Sequence, residues 1–313
     1  MLEEIREQPA ALERTLASEL PRIGALRARL ESARPRLIVL AARGTSDNAA
    51  QFGRYLLEIT TGIPVSLAAP SIYTLYEADL DLRGTLAIAI SQSGESTDIN
   101  RVQERARKQG AITIGITNEE GSTLARISEY VLLVRSGKER SVAATKTYTG
   151  QLLSFYLIAH ALGGRLRVED VQRLPEWTAQ ALNVEAEVRA LSERYRFMQS
   201  AAVVGRGLNY GTAFEFSLKL METCYVIAER FSSADFMHGP IAMVERAFAI
   251  MLFAPPGVTW PSMRQMIERL RQLKADTLVV THQDNAEALK VSERAICLPM
   301  KLEVEGPLPQ EVY

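Results

Sequence analysis

The chain repeats itself at long range, and that repeat restricts its fold more than any single motif does. Leu37 to Gly44 runs through an apolar stretch into Ala-Arg-Gly, and Ala201 to Gly207 runs through another into Gly-Arg-Gly, which places Arg43 and Arg206 163 positions apart. The apolar run Thr85 to Ile90 recurs as Ala247 to Phe253. Ala111 to Thr117 recurs as Ala275 to Thr281 at an offset of 164, and Tyr130 to Val134 as Ala295 to Pro299 at 165. Offsets this consistent describe two copies of one unit, and 313 residues are enough for two separate cores.

Within each copy short Val/Ile/Leu runs alternate with longer helical patterns. These are Asp47 to Glu58 and Asp98 to Gln109 in the first copy, and Ala213 to Cys224 and Pro261 to Leu273 in the second. Strands apolar on both faces and separated by helices predict an α/β fold, a parallel sheet with helices on both sides. The expected partition is an N-terminal helix over 1–30, a first domain over 31–165, a connecting helix over 166–195 and a second domain over 196–313. The connecting helix is centred on a continuous pattern from about Glu169 to Arg194.

The richest chemistry follows the strand Thr85 to Ile90, which runs directly into Ser91-Gln-Ser-Gly-Glu-Ser96 and then opens a helix. Helix N-termini carry unpaired N–H groups and positive dipole, so Ser91, Gln92, Ser93, Gly94 and Ser96 can surround a phosphate monoester with neutral donors and no lysine. Arg43-Gly-Thr-Ser46 and Glu139 to Thr149 supply two more hydroxyl-rich turns, as expected where ligands bind at the carboxyl ends of parallel strands. In the second copy the corresponding loop is Phe253-Ala-Pro-Pro-Gly257. Its prolines lack donors, so only the first copy is expected to hold phosphate.

The helix predicted near Tyr210 carries Glu215, Lys219 and Glu222 along one face, spaced by four and then three residues. His238 precedes a Gly-Pro turn shortly downstream. A carboxylate and a histidine offer a base and an acid near neutral pH, although the same spacing also suits a solvated helix with a modest ion pair.

Other classes find little support. Net charge is −1, so nothing advertises nucleic acid or a membrane surface. The apolar runs are of strand length and the first residues are too charged for a secretory signal, which makes a cytoplasmic location the expectation. Cys224 and Cys297 show no CxxC spacing and are expected as buried thiols, and Trp177 and Trp260 as packing residues. His160, His238 and His282 form no ligand cluster, so no metal and no cofactor are expected. Gly205-Arg-Gly-Leu-Asn-Tyr210 lacks the third glycine of a dinucleotide fingerprint.

In order along the chain, Arg43-Gly-Thr-Ser46, Ser91 to Ser96, Val142-Ala-Ala-Thr-Lys146, the Glu215/Lys219/Glu222 helix and His238-Gly-Pro240 resemble the successive motifs of the isomerase half of glucosamine-6-phosphate synthase, built from two sugar isomerase (SIS) domains. The resemblance implies two five-stranded, flavodoxin-like α/β/α domains. It implies that Thr45, Ser46, Ser91, Gln92, Ser93 and Ser96 hold a sugar phosphate, with the backbone at Val142 and Ala143 touching the sugar. It further implies that Glu222 moves a proton between C1 and C2, that Lys219 assists, and that His238 opens the ring from the neighbouring subunit of a homodimer.

Two departures shape the functional expectation. The chain begins at Met1 without the family's glutamine-hydrolysing domain, and it has no counterpart after Tyr313 for the segment that carries an imine-forming lysine. If the chain is complete, the second sheet lacks its closing helix and leaves apolar surface for a partner to cover. Either the sequence is shortened, or imine chemistry is absent or moved to Lys219 or Lys146. The favoured reading is a stand-alone deaminase that converts glucosamine 6-phosphate to fructose 6-phosphate and ammonia. The alternatives are a fructosamine-6-phosphate deglycase, a synthase half fed with external ammonia, and a non-catalytic sugar-phosphate sensor. Lys219, Glu222 and His238 speak against the sensor, because a binder needs no proton-transfer pair.

Overall fold

A computed structural model describes residues 1–300, which fall into two units, the first Met1–Pro175 and the second beginning at Glu176; the last thirteen positions of the second predicted domain, 301–313, lie outside the described residues. The first unit opens with α1 (Leu2–Arg6), α2 (Gln8–Glu19) and α3 (Ile23–Ser32) where the sequence pattern suggests a single helix. Proline is the reason. Pro9 sits in the first turn of α2 and Pro21 in the 3-10 turn Leu20–Arg22, and a residue without an N–H is tolerated only where a helix begins.

Next come β1 (Leu37–Ala41), α4 (Thr45–Thr61), β2 (Val65–Leu67), α5 (Pro70–Thr74), β3 (Thr85–Ile90) and α6 (Thr97–Lys108). They are followed by β4 (Ile112–Thr117), α7 (Thr123–Ile127), β5 (Tyr130–Leu133) and α8 (Lys146–Ala161). The sheet order is β2-β1-β3-β4-β5, with every pair parallel and Leu37 opposite Thr85. This order reverses direction between β1 and β3, and the crevice at their carboxyl ends is where sheets of this kind bind ligands.

Burial follows the sequence pattern closely. All six residues of β3 and of β4 are buried. Val39, Ala41, Ala87 and Ala89 form one face with Ile99, Val102 and Ala106, the apolar stripe of α6, whose opposite side carries Arg101, Glu104 and Lys108. Twelve of the sixteen residues of α8 are buried, so this helix is enclosed rather than amphipathic. It lies against α4 so closely that a Cβ on Gly53 would sit 2.4 Å from the Phe155 ring.

Between the sheets the chain runs through α9 (Val168–Val171), α10 (Leu174–Ala181) and α11 (Glu185–Ser192), not through one continuous connecting helix. Pro175 and the 3-10 turn Leu182–Val184 break the pattern. The second unit then contains β6 (Ser200–Gly205), α12 (Asn209–Cys224), β7 (Ile227–Ser232), α13 (Ser233–Met237), β8 (Ala249–Phe253), α14 (Trp260–Gln272), β9 (Asp276–His282), α15 (Ala286–Val291) and β10 (Ala295–Leu298). Read from its other edge, the sheet is β7-β6-β8-β9-β10, the same parallel topology as the first. The duplication is therefore structural.

Ala202, Val204, Ile250 and Leu252 pack on Met263, Met266, Ile267 and Leu270 of α14. On the opposite face, Met251, Phe253, Leu278 and Ile296 meet Phe216 and Leu220 of α12 and border an apolar cavity of about 500 Å³. Trp177 is fully buried, and Trp260 is half-buried with its indole N–H donating to Glu287 at 2.8 Å. The cysteines correct the expectation. Cys224 is exposed because it is the last residue of α12, and Cys297 is half-buried because β10 is an edge strand, where partial burial still pushes its thiol pKa up.

Truncating Phe155 to alanine removes a fully buried ring at the α4–α8 contact and should destabilise the first unit by about 3–5 kcal/mol. Chemical denaturation followed by circular dichroism checks this.

Candidate active site

The turns after β1 and β3 and the loop before α8 meet at the first unit's switch point. They enclose a cavity of about 250 Å³ lined by Arg43, Thr45, Ser46, Ser91, Gln92, Ser93, Ser96, Val142 and Ala144. Thr45 and Ser46 form the first turn of α4, and Ser96 is the N-cap of α6, so the amino ends of two long helices border the same space. The Ser96 hydroxyl makes no capping bond to its own helix. This is the environment that neutral N–H and O–H donors provide for an anion.

The Ser91–Ser96 loop is held rigidly. Gly94 has a φ of +66°, its N–H donates to the Ser91 carbonyl at 3.2 Å, and its own carbonyl accepts from Leu124 N–H and Asn100 Nδ2, both at 3.0 Å. A Cβ at Gly94 would stand 2.2 Å from Ser122 Oγ, so both conformation and space require glycine here. The Gln92 carbonyl accepts from Asn118 N–H at 3.0 Å and from the Thr117 hydroxyl at 3.1 Å. Glu95 accepts from the backbone N–H and the hydroxyl of Thr123, both at 2.8 Å, and these bonds hold its carboxyl below the usual range.

Two residues beyond the sequence-derived set shape the cavity. Gln151 of α8, fully buried, donates from Nε2 to Ser46 Oγ at 2.9 Å. With that lone pair used, the Ser46 hydroxyl hydrogen is left to point elsewhere, and the cavity lies beside it. Arg43 contributes the single positive side chain of the lining and is held by Asp98 at 3.1 Å. Burial raises the pKa of neighbouring Asp47, with Arg43 opposing the shift. Arg43 lies in a motif visible in the sequence, whereas no local signal marks Gln151, which is 105 positions from its partner.

The residues that the resemblance implies touch the sugar divide. Val142 is almost fully exposed at the rim, Ala143 is buried, and Ala144 completes the lining.

The other predicted residues belong to the second unit. Lys219 Nζ lies 3.1 Å from Glu215 Oε1 and 2.7 Å from Glu222 Oε2, confirming that the three share one face of α12. Glu215 is buried, whereas the Glu222 side chain is 31% exposed, which leaves it the more accessible of the two carboxylates. His238 is exposed at the end of α13, its backbone N–H donating to the Asp235 carbonyl at 3.2 Å. That turn is set in place by Ser232, whose hydroxyl donates to Asp235 Oδ2 at 2.5 Å.

The SIS domain family matches residues 31–161 and 198–308. The glutamine–fructose-6-phosphate aminotransferase (isomerizing) of Pyrococcus horikoshii is 33% identical over 318 residues, covering 98% of this chain and 52% of its own length, so the chain spans about half of that relative. A crystal structure of a candidate phosphosugar isomerase from Silicibacter pomeroyi is 31% identical, with a TM-score of 0.82 over 88% of this chain and 84% of that one. Glucosamine-6-phosphate deaminase from Thermotoga maritima shares the fold at 23% identity, with a TM-score of 0.74 over 89% of this chain and 83% of its own.

Alanine at Ser91 or Ser93 should weaken binding of a phosphate monoester by about 1.5–3 kcal/mol for each lost hydrogen bond to the charged group. Gly94→Ala should weaken it further by displacing the loop from Ser122. Calorimetric titration of the variants checks both.

Proposed function

Because the chain belongs to the SIS domain family and carries that domain twice, we propose that it is a phosphosugar isomerase acting on amino sugar phosphates, converting glucosamine 6-phosphate and water to fructose 6-phosphate and ammonia. The observation that carries this reading is the switch-point cavity of about 250 Å³, whose lining includes hydroxyls, helix amino ends and one arginine. The kinship with an isomerizing aminotransferase and the fold shared with a glucosamine-6-phosphate deaminase support the amino sugar as substrate.

In the proposed reaction, Thr45, Ser46, Ser91, Gln92, Ser93 and Ser96 hold the phosphate, and the backbone at Val142 to Ala144 runs beside the sugar. His238 moves a proton at the ring oxygen as the hemiacetal opens to the aldehyde. Glu222 then takes the proton from C2 and returns it at C1, while O1 gains a proton and the amine nitrogen gives one up, which converts the amino aldehyde to the imine of fructose 6-phosphate. Water hydrolyses the imine, releasing ammonia and leaving the ketone. One carboxylate can take and return the same proton, and Lys219 at 2.7 Å balances its charge while bridging to Glu215. No cofactor enters this scheme. The protein acts as a cytoplasmic homodimer in which His238 serves the neighbouring subunit's site.

Purified protein given glucosamine 6-phosphate should yield ammonia and fructose 6-phosphate in equal amounts. Glu222→Gln should lower kcat by about 10²–10⁴ with sugar-phosphate affinity retained. Tight binding without turnover, or turnover only of sugars with an amino acid on nitrogen, would replace the deaminase reading by a sensor or a deglycase. Mixing inactive Glu222→Gln and His238→Ala chains tests the shared site: activity returns only if the two residues of one site come from different subunits.

A further inference from the structure

Three carboxylates fix the loop that forms the rim of the first unit's cavity. Glu4 of α1 is 5% exposed. Its Oε1 accepts from the Arg140 backbone N–H at 2.5 Å, and its Oε2 accepts from the Ser141 N–H at 3.2 Å and the Ser141 hydroxyl at 2.5 Å. At the far end of the loop, Glu139 Oε1 accepts from the N–H and the hydroxyl of Thr145, both at 2.9 Å, and Glu139 Oε2 accepts from the Thr147 N–H at 3.0 Å and from the Thr147 hydroxyl. Glu7 adds an ion pair at 2.5 Å to Lys146, whose side chain is 4% exposed. Only Val142, Ala143 and Ala144 lie between the two anchored points, Ser141 and Thr145.

A buried carboxylate is costly unless its oxygens are fully bonded, and bonds from N–H and O–H groups to an ionised acceptor are about twice as strong as neutral ones. Glu4 meets that condition through contacts 136 and 137 positions away in sequence. Those donors, the Arg140 N–H foremost, pull its carboxyl pKa down to about 2, so the group stays ionised at working pH. The partners lie one and two residues from the rim, and a short segment held at both ends has little freedom left to lose when a ligand arrives.

We propose that Glu4 is a positioning residue for the sugar: it fixes Ser141, and through it the backbone of Val142 to Ala144, in the place where the carbons of a phosphosugar lie, while the Ser91–Ser96 loop takes the phosphate without its help. This rests on the reading of the cavity as a phosphosugar site. The two functions separate chemically, because inorganic phosphate uses only the hydroxyl loop whereas a phosphosugar uses both loops.

The test is calorimetric titration of the full chain with inorganic phosphate and with glucosamine 6-phosphate, in wild type, Glu4→Gln and Glu4→Ala. Ser141→Ala serves as a milder variant that leaves the carboxylate in place. The expected result is unchanged phosphate affinity with sugar-phosphate affinity lowered about tenfold or more in Glu4→Ala, less in Glu4→Gln and least in Ser141→Ala. Equal losses for both ligands would show a purely structural role and overturn the proposal, as would unchanged affinity for both. Wild-type protein that binds phosphate but not glucosamine 6-phosphate would overturn the functional reading and this proposal together. Normal wild-type discrimination retained in every variant would overturn the proposal alone.

Discussion

A parallel sheet in which the strand order reverses between β1 and β3 leaves a gap at the carboxyl ends of those strands, and the rest of the first unit is arranged around it. The helices α5, α6 and α7 cover the face that carries Val39 and Ala87, while α4 packs against α8. The amino ends of α4 and α6 therefore border the gap from different strands. Main-chain donors that no helix can satisfy internally end up facing a single small space, and the turn sequences decide whether that space is useful. In the first unit the turns are Gly-Thr-Ser and Ser-Gln-Ser-Gly. In the second unit the same topology carries Ala254-Pro-Pro-Gly257, so identical architecture comes with different chemistry.

The electrostatics of the cavity follow from this arrangement. The phosphate monoester we propose as ligand would bring close to two negative charges to a lining that offers hydroxyls, the amino ends of two helices and one arginine that is itself shared with Asp98. Binding then depends on many fixed dipoles, each of modest strength, and fixed dipoles require a rigid loop. Rigidity comes from outside the cavity. Asn118, Thr117, Thr123 and Asn100 hold the serine loop, Gln151 orients Ser46, and Glu4 and Glu139 hold the rim. None of the side chains in this outer layer carries the chemistry, yet together they define where a ligand's atoms can go.

Much of this was legible in advance. The 163-to-165-residue offsets correspond to two sheets with identical strand order, and the hydroxyl-rich turns line one cavity as their positions after strands suggest. The spacing of Glu215, Lys219 and Glu222 corresponds to a continuous ion-paired row on α12. The failures have local causes. Pro9, Pro21 and Pro175 interrupt helices that an averaged periodic pattern joins together, and Cys224 is exposed because a helix end leaves the apolar stripe.

By itself the sequence determined the duplicated parallel α/β architecture, the turn that can take a phosphate, and the carboxylate–lysine row of α12, because each depends on residues close together in the chain and on periodicities of two or about 3.6. Only the tertiary structure decided which side chains hold those turns in place. Gln151 reaches Ser46 across 105 positions, and Glu4 reaches Arg140 and Ser141 across 136 and 137. Such contacts leave no periodic trace, since they arise from the packing of α1 and α8 and from the need of buried polar groups to find a partner wherever the fold brings one near.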